Sequence, residues 1–279
     1  MNKKLIINSA LRMPFIFLLF FSFGLSNVTF SQELSVNIGL RVELKSEILN
    51  EQRSIIIYLP ENYSLTEKTY PVLYRLDGNM ETMLESVAIT KRLSQTEEFI
   101  PEMIIVGIEN INRPRDMWPV KTKYYDKNPG AKDFLNFISL ELLPYIEKNY
   151  RTSDHKILCG QSLSGVFTLY TLLSRPNLFS SYIISSSAFP DCEDYFNELS
   201  QKAFQQIQLF YDKDIFITNG LEDPLDPDGK NHKQILDFSN TLKDKIGTQS
   251  KIKYVTYENE GHVPFFSLYD GLKFILIKE

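Results

Sequence analysis

The stretch Lys156 to Pro176, KILCGQSLSGVFTLYTLLSRP, decides the fold. A short apolar run, Lys156 to Cys159, meets Gly160-Gln161-Ser162-Leu163-Ser164-Gly165, and from Leu163 to Ser174 the chain is helix-forming and almost free of charge. A strand that turns at once into a buried helix is the basic unit of a parallel α/β sheet. Arg175 and Pro176 end the helix, because the residue before a proline avoids helical backbone angles. A serine in Gly-x-Ser-x-Gly at such a junction is a nucleophile elbow: the tight turn lifts its hydroxyl above the sheet edge beside a helix N-terminus. The Leu163 N–H then faces the position of a developing oxyanion. Here the last position of the pattern is Ser164, followed by Gly165. Serine is the next smallest side chain that still allows close approach.

Outward from this junction, alternating segments at residues 36–45, 52–59 and 71–76 read as strands, the first two as an antiparallel edge. Further apolar runs at 103–108, 182–185, 215–218 and 252–257 are separated by helix-period segments at 81–94, 132–148, 195–208, 230–245 and 268–277. Continuous apolar strands separated by helices are buried on both faces of a mostly parallel sheet. The expectation is an α/β fold of about eight strands with helices on both faces. No repeat or Gly/Ser linker divides residues 32–279, so one domain is the simplest account.

The 279 residues are 43% hydrophobic and 23% charged, which excludes a disordered or collagen-like chain. Residues 1–31 read as a secretory signal: Lys3, Lys4 and Arg12 are basic, Phe15 to Leu25 is apolar, and Thr29 and Ser31 precede a cut before Gln32. The apolar run falls short of the roughly 20 residues that span a bilayer. The expected location is secreted or periplasmic, with no stable membrane span once the signal is removed. The remaining chain has 27 basic and 35 acidic residues, a net charge of −8, and no Lys/Arg cluster. It lacks the electrostatic footprint of a nucleic-acid binder. Cys159 and Cys192 read either as a pair or as buried thiols. Three isolated histidines without His-x-x-x-His spacing make no metal site, and no cofactor is expected.

A nucleophilic serine needs a base, and the candidates are His155, His232 and His262. His155 begins the strand that ends at the elbow, so it lies at the wrong edge. His232 stands in a charged helical stretch. His262 follows the last strand, at the C-terminal edge where ligands bind in open α/β sheets, and it comes after the serine in chain order. The acid that fixes the imidazole should lie between them, after a strand. Asn219 to Asp228 offers Glu222, Asp223, Asp226 and Asp228; Asp223 is preferred and Glu222 is next. An acidic surface loop is the alternative, since the spacing does not fit a Ca²⁺ loop. In Leu76-Asp77-Gly78-Asn79, after the third strand, Gly78 allows the turn and Asn79 can offer a second oxyanion N–H. A plain Asp-Gly turn is the alternative there.

Longer segments carry a resemblance. Ser46 to Arg53 leading to Tyr58-Leu59-Pro60, then Tyr70 to Tyr74 and Leu76-Asp77-Gly78, are similar to the Putative esterase family of α/β-hydrolases, in the branch with periplasmic siderophore (trilactone) esterases. Val106-Gly107-Ile108, Asn112 to Asp116, Ser185-Ser186-Ser187 and Tyr269 to Leu272 extend the similarity over residues 40–275. The resemblance implies an eight-stranded sheet and hydrolysis of a carboxylic ester, either a small molecule or one linked to polysaccharide. It also implies an oxyanion N–H at Asn79 and an acid at Asp223, although some siderophore esterases work with a Ser-His dyad. By the same resemblance, Asn110 to Tyr125 borders the substrate. Arg113 and Arg115 could then hold an anionic group bidentately, and Trp118, Tyr124 and Tyr125 could wall an aryl acyl group. The alternative is an Arg-Asp pair that locks a loop and aromatics that cover the core. Phe189 to Tyr211 reads as a cap. An acyltransferase using the same residues and a binding protein that lost the chemistry are the rival readings.

Overall fold

The computed structural model describes residues 36–187 and 192–277. The expected signal segment, residues 1–31, and the cap positions Phe189 to Asp191 lie outside the described residues. Eight strands form one sheet: β1 (Leu40–Ser46), β2 (Glu51–Tyr58), β3 (Tyr70–Leu76), β4 (Ile104–Ile108), β5 (Thr152–Gln161), β6 (Ser181–Ser185), β7 (Asp214–Gly220) and β8 (Lys251–Tyr257). Their order is β1-β2-β4-β3-β5-β6-β7-β8. The β1–β2 and β2–β4 pairs are antiparallel, and all the others are parallel. Every residue of β3, β4 and β6 is buried, which is why these strands read as continuous apolar runs. The edge strands β1 and β8 alternate and carry Arg41, Glu43, Lys45, Lys251 and Lys253 on exposed positions.

Because side chains alternate across a strand, neighbouring residues feed two separate cores. Ile55, Ile57, Val72, Tyr74 and Leu158 face one, while Ile56, Leu73, Ile105, Ile157 and Cys159 face the other. The first core is covered by α3 (Ala131–Phe137), α4 (Leu143–Asn149), α5 (Leu163–Ser174), α6 (Glu193–Ala203) and α7 (Lys230–Ile246), the second by α1 (Met80–Lys91) and α8 (Ser267–Leu276). Cys159 and Cys192 are buried in opposite cores, and no disulfide joins them.

The helices differ from the sequence reading in several details; the one expected over 195–208 is α-helical only to Ala203 and continues as a tighter 3₁₀ stretch, Phe204–Phe210. The helix expected over 132–148 is broken by a wide π turn at Ile138–Leu142, just ahead of Pro144, which has no N–H to continue the ladder. A short helix, α2 (Arg113–Met117), stands in the expected substrate-border segment, capped by the Asn112 side chain on the Arg115 N–H at 3.2 Å.

Helix α2 is moored by the fully buried Arg53 of β2. Its guanidinium donates to Asp116 at 2.8 Å, Glu51 at 3.0 Å and the Glu109 carbonyl at 3.0 Å, and lies 5.0 and 5.6 Å from the Phe134 and Phe137 ring centres. Without Arg53 the carboxylates of Asp116 and Glu51 keep only Arg115 as a cation, and the Glu109 carbonyl loses its donor. Arg53→Ala is therefore expected to lower the unfolding free energy by roughly 3–5 kcal/mol, measured by urea denaturation. A loss below about 1 kcal/mol would show that the ion pair is dispensable.

Candidate active site

Ser162 sits between β5 and α5 with φ 54° and ψ −123°, a backbone conformation that side-chain-bearing residues rarely adopt. The turn is crowded on both sides. A Cβ at position 160 would lie 2.3 Å from the Ser164 carbonyl oxygen, and one at position 165 would lie 2.8 Å from the Ser185 carbonyl oxygen. Glycine at these two places lets the strand, the turn and β6 approach, and the Ser162 N–H donates to the Ser185 carbonyl at 2.9 Å.

His262 comes from the loop after β8, and its Nε2 is 2.8 Å from Ser162 Oγ. Its Nδ1 is 2.7 Å from Oδ2 of Asp223, in the loop after β7. The other Asp223 oxygen accepts the Leu225 N–H at 2.8 Å. A carboxylate on Nδ1 fixes that nitrogen as the donor and leaves Nε2 to accept the serine proton. The two loops interlock through backbone. A Cβ at Gly220 would stand 1.9 Å from the Gly261 carbonyl oxygen, and the Glu222 N–H donates to Glu260 at 3.0 Å. Gly220→Ala must displace the loop that ends in His262. A shift of about 1 Å in a reacting group can cost ~10²-fold. That is the expected loss in kcat, to be measured alongside an unchanged circular dichroism spectrum.

The remaining candidates lie elsewhere. Glu222 is exposed, and Asp226 accepts the Asn231 and His232 N–H groups at the start of α7. Asp228 is exposed in the turn before it. His155 pairs with Ser181 at 3.0 Å at the opposite edge of the sheet, where burial pushes its imidazole below the ordinary value. His232 contacts the Tyr254 hydroxyl at 2.9 Å through Nδ1.

Leu163 opens α5, so its N–H has no acceptor within its own helix. The Asn79 N–H donates to the Asp77 carbonyl at 2.7 Å, across a three-residue turn through Gly78. The Asn79 side chain caps α1 by accepting the Thr82 N–H at 3.0 Å.

Both arginines have partners inside the protein, the arrangement that the alternative of an Arg-Asp pair locking the loop expects. Arg113 makes a bidentate pair with Asp77 at 2.7 and 2.9 Å and reaches the Gln161 carbonyl at 3.2 Å. Arg115 grips Glu51 at 2.6 and 3.0 Å and Asp116 at 2.6 Å, and these bonds raise its already high pKa. Trp118 does border the site. With Tyr124, Leu163, Val166, Leu225 and Asn231 it lines a cavity of about 330 Å³ that opens on Ser162 and His262. Tyr125 instead packs against the core.

Two features around the elbow escaped the sequence reading. Asp77 is buried and takes hydrogen bonds from Arg113, from Asn110 at 2.6 Å and from Ser164 at 2.7 Å. Burial alone would raise its pKa, but Arg113, Asn110 and Ser164 together hold it below the usual carboxylate value. Arg75, buried in β3, donates to the Gln161 side chain at 2.8 Å and to Cys159 Sγ at 3.0 Å. An arginine inside the apolar run Val72 to Leu76 was the available signal, since a buried charge must find partners.

The sequence model of the family described as "Putative esterase" matches residues 46–263. The chain belongs to this family. It is 27% identical to the ferri-bacillibactin esterase BesA of Bacillus subtilis over 257 residues, covering 81% of this chain and 84% of that one. Among solved structures it resembles an IroE-like serine hydrolase of Shewanella oneidensis at 30% identity and TM-score 0.75, covering 84% of this chain and 78% of the other. The BES protein of Bacillus cereus aligns at 25% identity and TM-score 0.73, covering 89% and 98%. Within the esterase family the fold is that of the α/β-hydrolases, and the chain is a carboxylic-ester hydrolase.

Proposed function

We propose that this esterase works through an acyl-enzyme on Ser162. The observation that carries the reading is the hydrogen-bonded series Asp223–His262–Ser162 at the mouth of a cavity. Ser162 Oγ attacks the ester carbonyl carbon while His262 Nε2 takes its proton, and Asp223 holds the imidazolium that forms. The Leu163 N–H receives the negative oxygen, and Asn79 serves as second donor by giving up or sharing its bond to Asp77. Collapse of the tetrahedral adduct expels the alcohol, protonated by His262. Water then attacks the acyl carbon, losing its proton to His262, and the acid leaves with Ser162 regenerated.

The substrate is a small-molecule or polysaccharide-linked ester, such as a siderophore lactone or an aryl or acetyl ester. The family relatives named for siderophores favour the lactone. The cavity, walled by Trp118, Tyr124, Leu163, Val166 and Leu225, suits an apolar or aromatic acyl arm. Residues 32–279 act as one α/β-hydrolase domain. They are secreted or periplasmic, directed there by residues 1–31. Residues 32–279 should be incubated with a fluorophosphonate probe and the adduct located by peptide mass spectrometry. Labelling at Ser162 that depends on His262 is the expected result. A folded protein that hydrolyses esters without labelling at Ser162 would overturn the mechanism.

A further inference from the structure

Ser164 stands where the elbow pattern has glycine, and its side chain is fully buried. Its Oγ accepts the Gln161 N–H at 2.8 Å and lies 2.7 Å from Oδ2 of Asp77 and 2.8 Å from the Gln161 carbonyl oxygen. A hydroxyl has a single proton, and a carboxylate is the stronger acceptor, so the Ser164 hydroxyl donates to Asp77. The two residues joined by this bond occupy telling places. Ser164 directly follows Leu163, and Asp77 begins the turn that delivers Asn79, so each segment carries one of the two oxyanion donors.

The Asp77 segment has further holds: Asn110 donates to its carboxylate at 2.6 Å, the Thr82 hydroxyl donates to its carbonyl at 2.5 Å, and β4 and Arg113 secure it from the other sides. The Gly78 N–H donates to the Ile108 carbonyl at 2.9 Å, and a Cβ at Gly78 would lie 2.3 Å from the Ile108 nitrogen, so this turn lies flat on β4. Arg113 grips the Asp77 carboxylate and also reaches the Gln161 carbonyl, one residue before the nucleophile. Asp77 itself has φ 55°. A non-glycine residue is strained there, and such conformations persist only where the surroundings over-determine them. Three side chains on its carboxylate and the Thr82 hydroxyl on its carbonyl fix Asp77 in that conformation.

We infer that Ser164, through Asp77 and with Arg113, is a positioning residue that staples the two halves of the oxyanion hole at a fixed separation. This rests on the acyl-enzyme reading above and adds a role for the residue that departs from the motif. The acyl-binding cavity is not touched by Ser164, so its loss should act on the transition state and not on substrate binding.

The test is Ser164→Ala, with Ser164→Gly as a second variant should alanine not fold. On an accepted ester, kcat is expected to fall roughly 10- to 100-fold with KM unchanged. Affinity for a trifluoromethyl ketone, which forms a tetrahedral adduct, should fall by the same factor. In parallel, amide hydrogen exchange at Gly78 and Asn79 should accelerate by about tenfold or more, as expected of a loop that loses a buried tether. A folded variant with kcat within twofold of the parent, or a rise in KM alone, would overturn the staple. So would unchanged exchange at Gly78 and Asn79. If the parent protein carries no probe on Ser162 and cleaves no ester, the acyl-enzyme reading fails by itself, and the exchange measurement still decides whether the staple exists.

Discussion

Ser162→Ala is expected to lower kcat/KM on any accepted ester by roughly 10⁶-fold, the scale of the loss in kcat when a triad serine is deleted. The thermal midpoint should stay within about 2 °C of the parent. The two halves of this expectation have separate causes. The Ser162 hydroxyl contacts His262 at 2.8 Å and lines an open cavity, so its removal leaves no buried group without a partner. Alanine keeps a Cβ, so the strained backbone at φ 54° is neither relieved nor worsened. Under the proposed mechanism what disappears is the attacking atom, and the residual rate comes from the oxyanion donors and the cavity acting on water. A folded Ser162→Ala protein retaining more than about a tenth of parental turnover would remove Ser162 from the mechanism.

The second large effect belongs to Asp223. In Asp223→Asn the shape is kept but the charge is lost, and the amide can present its NH₂ to Nδ1, which favours the wrong imidazole tautomer. The same change in a Ser-His-Asp protease lowers kcat by ~10⁴, and a loss of about 10³ to 10⁴ is expected here with little change in KM. Glu222→Gln is the internal control. Its side chain is exposed, and kcat should remain within about twofold. If Asp223→Asn loses less than about tenfold, the enzyme operates as a Ser-His dyad, with Asp223 only orienting the loop.

The parts of the site that were legible in the sequence share one property: each is announced by local order along the chain. The elbow was readable because an apolar strand, a tight turn and an uncharged helix follow one another within Lys156 to Ser174. His262 and Asp223 were readable because sheet topology puts both of their loops on the same edge as the elbow, in a fixed chain order. The fates of Arg113 and Arg115 were not readable. Their partners, Asp77 and Glu51, lie 36 and 64 residues away, and only tertiary packing decides whether a guanidinium meets a substrate or a carboxylate of its own chain. Helix α2 was missed for a different reason. A run of five residues has too few turns to show a period. The break at Ile138–Leu142 could have been anticipated from Pro144, whose effect on the preceding turn is a backbone property.

The left-handed backbone at Ser162 has a consequence for how this chain can change over time. A residue held at such angles costs about 1–3 kcal/mol, against a total stability of roughly 5–15 kcal/mol for a typical domain. Glycine would occupy position 162 with far less strain, so any descendant released from the need for a nucleophile gains a more robust fold by a single Ser-to-Gly exchange. Drift therefore runs downhill toward an inert relative. Serine at this angle is a cost in stability that the proposed role of nucleophile accounts for.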